Sequence, residues 1–572
     1  MANNLSEIIQ AARGDKESDL LLTNGKIINV FSGDVQNNSI AVSSGHIVGF
    51  GDYPAAKTID LKGQFISPGF IDAHVHIESS MTCISEYAKT VTCRGTTTVV
   101  ADPHEIANVL GIEGLLYMIE SSENQFLNVY FTFPSCVPAT DLETSGAKLT
   151  SKDIEAFMDH EKIVGLGEMM NFPGVLFRNK EVLAKINAAK KLKKPIDGHS
   201  PGLLGRDLYA YLAAGISSDH ECTEESEGRE KLLAGMYVMI REGTAARNLH
   251  ALIPLINDRT VSRLMWCTDD RHPHELINEG SIDAIVREAI RSGVNPINAI
   301  KMATISAADY FGLNDIGAIA PGKRADLVIF EDLNCPEPAM VFSFGQLVAK
   351  NGQMLSKNHI PSPVVLPTSM NVDLSSLDFS IPADGKYARV IEIVPNQIIT
   401  RQIIVEPSIK NHSAQSDISR DILKIAVVER HKKTGNIGKG FVRRLGLKKG
   451  AIASSVAHDS HNIIVAGVND LDMLTAVHAI VRMGGGLAVA CDGKIISALE
   501  LPIAGLMSSD SIENIRDKLD HLVRICHDLG TTLNDPFVTL SFLALPVIPD
   551  LKLTDKGLVD VRQFGFVSLF VS

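Results

Sequence analysis

The stretch PGFIDAHVHIESSM, Pro68 to Met81, decides how the rest of the chain is read. Its core, FIDAHVH (Phe70–His76), is a strand-like apolar run that ends in two histidines. Residues two apart on a strand face the same side, so His74 and His76 can present two imidazoles to one metal ion. A bare His-x-His is a modest signal. Its weight depends on what the neighbouring strands bring to the same place.

Outward from this stretch, strand-like runs alternate with helical patterns to about residue 317. The other runs are TTTVVAD, NVYFTF, IVGLGEM, KPIDGHS, GISSDH, MYVMIR and RLMWCTD. Strand then helix, eight times over about 250 residues, predicts a (β/α)8 barrel over residues 68–317. A doubly wound open sheet would also alternate, but normally with fewer strands. Residues 1–67 read as a short amphipathic helix followed by β-prone runs with Asn-Gly, Ser-Gly and Lys-Gly turns. The β-texture returns after the barrel in GAIAPGKRADLVIFEDL and FGQLVAKNGQML. Residues 318–365 are therefore expected to complete a small β-domain that the barrel interrupts. SKNHIPSPVVLPTS reads as a linker, and residues 380–572 as a separate α+β domain. The expected class is thus α/β, a (β/α)8 barrel flanked by a discontinuous β-domain and a C-terminal α+β domain. In that last domain GNIGKGF (Gly435–Phe441) lacks the phosphate-loop order and reads as a turn-rich loop.

Composition narrows the function. The 572 residues are 45% apolar and 21% charged, proportions of a globular protein with ample core. A formal net charge of −13 is poorly suited to a phosphate backbone, so no nucleic-acid partner is expected. The eight cysteines include no Cys-x-x-Cys pair and suggest a reduced, cytoplasmic setting. The N-terminus lacks a cationic start followed by an apolar core, and no uninterrupted run of about 18 apolar residues predicts a membrane span. Apolar outer helices of a barrel predict a homo-oligomer.

Barrel active sites form where the strands end. His74 and His76 end the first run, Glu168 the fourth, His199 the fifth, His220 the sixth and Asp269 the eighth. Singly, each reads as a capped turn or a satisfied polar residue. Together, four imidazoles and two carboxylates exceed one tetrahedral site and suit two ions. A carboxylate such as Glu168 can bridge two cations, and a hydroxide between them would be ready to attack at neutral pH.

PGFIDAHVHIESSM, with the β-unit before it and APGKRADLVIF after the barrel, resembles the amidohydrolase superfamily. HIESSM, ADPHEIANV, GLGEMMNFPGV, DGHSPGL, DHECT and WCTDDRHP look like one of its families, the microbial adenine deaminases. The likeness continues through VERHKKTGNIGKGFV, ASSVAHDSHNIIVAG, MGGGLAV and LALPVIPDLKLT, so it covers nearly the whole chain. The resemblance implies hydrolysis of adenine, a small purine base, to hypoxanthine and ammonia. It implies two divalent ions, Mn2+ or Fe2+, although mixed His and carboxylate ligands also accept Zn2+. Carried over, His74, His76 and Asp269 would bind the first ion, His199 and His220 the second, and Glu168 would bridge. The Asp269–Asp270 doublet leaves a one-residue choice, for which Asp269 is preferred because relatives have Thr-Asp or Ser-Asp at this strand end.

For catalysis, Asp269 is expected to take a proton from the nucleophile and pass it to the departing amine. A second group must protonate the ring nitrogen beside C6. His104 and Glu105, at the end of the second run, are candidates; they also read as a helix-start cluster. Glu78, Ser79 and Asp270 are candidates for substrate contact, and Glu78 and Ser79 read equally as turn caps. HDSHN (His458–Asn462) reads as a polar loop that could lie over the barrel mouth. The cysteine-ligated zinc route to base deamination is not available, because its Pro-Cys-x-x-Cys ligands are missing. Two other readings fit these residues: an amidohydrolase acting on another heterocycle or cyclic amide, and a non-catalytic barrel scaffold.

Overall fold

The structure, a computed structural model, describes residues 5–355, 366–395 and 397–571. Most of the expected linker, residues 356–365, lies outside the described residues.

Parallel strands occupy the middle of the chain: β1 (Phe70–Val75), β2 (Thr96–Ala101), β3 (Asn128–Phe133), β4 (Ile163–Met169), β5 (Ile196–Gly198), β6 (Ser218–Asp219), β7 (Tyr237–Arg241) and β8 (Leu264–Cys267). The first five form one sheet in sequence order, and β6 to β8 form a second. Backbone hydrogen bonds cross both gaps. Asp269 N donates to His74 O (3.0 Å) and His76 N to Asp269 O (3.1 Å), while Ser217 N donates to Ile196 O (3.0 Å). Strands β1, β2 and β8 are buried along their whole length, and the polar residues they carry, such as Asp72, are buried with them. Strands β5 and β6 are shorter than the runs KPIDGHS and GISSDH suggest. Past Gly198 the backbone turns to side-chain partners: Ser200 N and Oγ both donate to Asp219 Oδ1 at 2.8 Å.

The flanking β-segments share one sheet. Leu327–Phe330 runs antiparallel to Phe65–Pro68, with Leu327 opposite Pro68 and Phe330 opposite Phe65. Ser18–Ile28 continues that sheet, and Leu22, Ile40, Ile66, Leu327 and Phe342 pack into one apolar core.

Residues from Tyr387 onward build a nine-stranded sheet. Its strands include Ile422–Val428, Ile463–Gly467 and Gly486–Cys491, and the helices Asp470–Met483 and Ile512–Asp528 accompany it. The glycine-rich segment read as a loop is instead a strand, Ile437–Arg443, antiparallel to Ile422–Val428. Its glycines answer to packing rather than turning. A Cβ at Gly438 would stand 1.8 Å from Thr554 O, so only glycine lets the two backbones approach. Asn469 caps the helix Asp470–Met483 by accepting from Asp472 N (2.9 Å). Asn469→Ala is expected to lower stability by ~1 kcal/mol, read as an earlier denaturant midpoint for this sheet.

The C-terminal region packs against the region of parallel strands. Ala504, Leu506, Met507 and Ile512 belong to the same apolar core as Ile84, Tyr87 and Met118. Conversely, Met81 packs among Leu423, Ile452 and Leu519. Among the described residues, no helix is long and apolar enough to cross a membrane.

Candidate active site

The C-terminal ends of the parallel strands carry a buried cluster of imidazoles and carboxylates. Nε2 of His74 and His76 lie 3.2 Å apart. Asp269 Oδ1 is 3.6 Å from the first and 3.1 Å from the second. Glu168 divides its two oxygens. Oε1 faces His76 Nε2 (3.4 Å) and His74 Nε2 (4.0 Å). Oε2 faces His199 Nδ1 (2.6 Å) and His220 Nε2 (3.1 Å). The rings of His74 and His220 stack, 4.3 Å between centroids. The six strand-end residues named from sequence are thus brought together. Of the acidic doublet, Asp269 faces the imidazoles, whereas Asp270 accepts from Ser79 Oγ and borders the adjoining cavity.

Local sequence explains how the cluster is held. Asp72, buried in β1, accepts from Thr268 Oγ1 (2.5 Å) and Thr268 N (3.1 Å), which clamps the end of β8 to β1. His76 Nδ1 donates to Asp102 O (2.9 Å), so its Nε2 presents a lone pair to the cluster. Asp102 Oδ2 accepts from Glu168 N (2.9 Å). A Cβ at Gly167 would lie 2.2 Å from that oxygen, so glycine at 167 is the condition for the contact. The donor set and its spacing fit divalent cations: two groups, His74/His76/Asp269 and His74/Glu168/His220, each place ligand atoms within 4.8 Å of one another.

His104 sits against this cluster. Its Nδ1 is 3.4 Å from Glu168 Oε1 and lacks a hydrogen-bond partner. Glu105 Oε1 lies 3.5 Å from His104 Nε2, and its carboxylate also meets His458 Nδ1 (2.7 Å) and His461 Nε2. Glu78 is buried and accepts from Ile106 N (3.1 Å), an amide of the helix His104–Leu110. Burial pushes its carboxyl up to about 7. Neither Glu78 nor Ser79 lines the cavity; of the three expected substrate contacts only Asp270 does.

The cavity above the cluster encloses about 620 Å3 of non-atom space, open solvent at its mouth included. It is lined on one side by the imidazoles and carboxylates with Glu221 and Arg241, and also by the apolar Ile398, Phe542, Leu545, Val547 and Ile548. The His458 ring stacks on Phe542 at 4.7 Å.

This arrangement has known counterparts. The amidohydrolase family description matches residues 65–355, and the adenine deaminase C-terminal domain matches residues 397–565. The adenine deaminase of Desulfatibacillum aliphaticivorans is 55% identical over 564 residues, 99% of both chains. That of Methanothrix thermoacetophila is 50% identical over 570 residues, 99% of this chain and 100% of the relative. The chain belongs to the adenine deaminase family. Among solved structures, the dihydropyrimidinase of Brevibacillus agri is 15% identical over 60% of this chain and 99% of its own, with a TM-score of 0.46. That likeness is too loose to bear on substrate.

In this member of the adenine deaminase family the two matched regions meet at the site. Glu105 belongs to the first, His458, Asp459 and His461 to the second. Sequence reasoning passed over Glu221 and Arg241. Arg241 bonds Glu221 through both terminal nitrogens and donates to Asp269 Oδ2 (2.8 Å). Burial opposes the guanidinium charge, yet the two carboxylates more than offset this and hold it above its ordinary pKa. Arg241 ends the seventh run, so the strand-end rule alone could have found it; Glu221 follows His220 directly.

Proposed function

We propose that the chain hydrolyses adenine to hypoxanthine and ammonia, within purine salvage, using two divalent cations, Mn2+ or Fe2+. The observation that carries this reading is the split Glu168 carboxylate, whose oxygens serve two imidazole groups beneath a cavity with one apolar face. On this reading the eight parallel strands close into a (β/α)8 barrel, with the three backbone hydrogen bonds across the two gaps as the joints. His74, His76 and Asp269 would hold one cation, His199 and His220 the other, and Glu168 both. Bound there, the cations would supply a water acidified enough to attack at neutral pH.

The chain's own groups do the rest. The apolar face of Ile398, Phe542 and Leu545 offers a flat surface to a heteroaromatic ring and excludes water from it. Arg241 neutralises Asp269 Oδ2 and leaves Oδ1 turned toward the imidazoles. Asp269 takes the first water proton and delivers it to the amine as that group leaves. Glu105, fixed by two histidines, is an ionised acceptor rather than a proton donor. Free, mostly buried thiols support a reducing, cytoplasmic setting. Exposed apolar residues on the outer segments, such as Phe177 and Leu233, support self-association.

The test is ammonia release from adenine by metal-free and by Mn- or Fe-loaded protein, with guanine, cytosine and a hydantoin alongside. Adenine turnover that appears only in the loaded protein is expected. Release from the hydantoin but not adenine would replace this reading with a cyclic amidohydrolase, and no bound metal after careful loading would favour a scaffold.

A further inference from the structure

Six acidic residues line the cavity: Glu105, Glu168, Glu221, Asp269, Asp270 and Asp459. Five have donors. Glu105 receives His458 and His461. Glu168 receives His199, and Glu221 and Asp269 receive Arg241. Asp270 receives Ser79 Oγ. Each thereby accepts at least one hydrogen bond or ion-pair contact. Asp459 differs: it is 4% exposed, and its Oδ2 is buried with no hydrogen-bond partner. A buried carboxylate oxygen without a donor is costly, and burial therefore favours the protonated form. Burial accordingly pushes Asp459 up to about 6, with the nearby histidines opposing.

The neighbours of Asp459 show why its place is fixed. His461 Nδ1 accepts from Ala457 N (3.1 Å), so the ring proton sits on Nε2 and is donated to Glu105. Burial lowers His461 to about 4, which keeps that neutral tautomer. With Nδ1 committed to an amide and Nε2 carrying hydrogen, His461 has no lone pair for a cation. Glu105, His458 and His461 are therefore a cross-link that docks the 457–462 segment on the barrel, not a third metal site. The cross-link sets Asp459 against the cavity.

We propose that Asp459, from the C-terminal domain, is the acid that protonates the ring nitrogen beside C6. The inference rests on the adenine reading above. As the water oxygen bonds to C6, the C6–N1 π pair moves onto N1, which takes the Asp459 proton. Asp269 delivers the first water proton to the amine, the C6–N6 bond breaks, and ammonia leaves. The second water proton, on the oxygen at C6, is released as the carbonyl forms and returns through solvent to Asp459. Both water protons are then accounted for, one on N1 of hypoxanthine and one in ammonia.

The experiment compares wild type with the isosteric Asp459→Asn and with Asp459→Leu, all Mn-loaded. It reads adenine turnover, metal content, KM for adenine, and inhibition by 1-deazaadenine, which lacks the nitrogen in question. Expected are a fall in kcat on the order of 10²-fold for Asp459→Asn with unchanged metal content, and a wild-type preference for adenine over 1-deazaadenine that disappears in Asp459→Leu. Turnover by Asp459→Asn within threefold of wild type overturns the proposal, and so does a preference that persists in Asp459→Leu. Should wild type release no ammonia from adenine, the functional reading itself fails, a result separable from either of these.

Discussion

Glu168→Gln is expected to lower adenine turnover by ~10³-fold or more, since metal-assisted charge stabilisation is worth several kcal/mol and each 1.4 kcal/mol is about tenfold. The effect follows from where the two oxygens go. Oε1 faces His74 and His76, and Oε2 faces His199 and His220. An amide keeps the shape but replaces one anionic oxygen with an N–H2 group that cannot ligate. Metal analysis should show the loss of one cation per chain, with the other retained on the opposite side. Full turnover with full metal content in this variant would remove Glu168 from the centre.

The second large effect is structural. Lys231 is fully buried, and its Nζ reaches Ser200 O (2.7 Å), Glu227 Oε1 (2.8 Å) and Asp219 Oδ2 (3.1 Å). Asp219 precedes His220 and also accepts from Ser200 N and Oγ. Lys231→Met fills the space but leaves Asp219 as a buried charge without its cation. Removing one partner of such a pair costs about 3–5 kcal/mol. Metal affinity should fall as well, by roughly 10–100-fold, as when other supports behind a ligand are lost. Denaturant unfolding of the metal-free protein measures the first and competition with a chelator the second. A midpoint equal to wild type would mean that the remaining donors, Ser200, Glu221 N and Cys222 Sγ, satisfy Asp219 without the lysine.

How much of this was legible in the chain differs from residue to residue. The metal-type ligands are readable because parallel strands carry functional groups at their ends, and a strand-like run has a visible end. The same rule could have picked out Arg241, but its meaning lies in Glu221 and Asp269, which become its neighbours only on folding. Glu105 with His458 is the extreme case, a contact across 353 positions that no local pattern encodes. The strand Ile437–Arg443 was hidden because glycine signals turns in isolation, whereas at Gly438 it answers to a neighbouring backbone. Strands β5 and β6 were overestimated for a related reason. Apolar texture shows where a strand can run, and the Ser200–Asp219 bonds decide where it stops.

The placement of His458, Asp459 and the Phe542–Ile548 segment has a temporal consequence. During synthesis the parallel strands emerge from the ribosome long before these residues do. A nascent chain can present His74, His76, Glu168, His199, His220 and Asp269 early, yet it lacks the apolar face and Asp459 until the last part of the message has been translated. The site is therefore completed late, once the C-terminal region has joined the apolar core it shares with Ile84, Tyr87 and Met118.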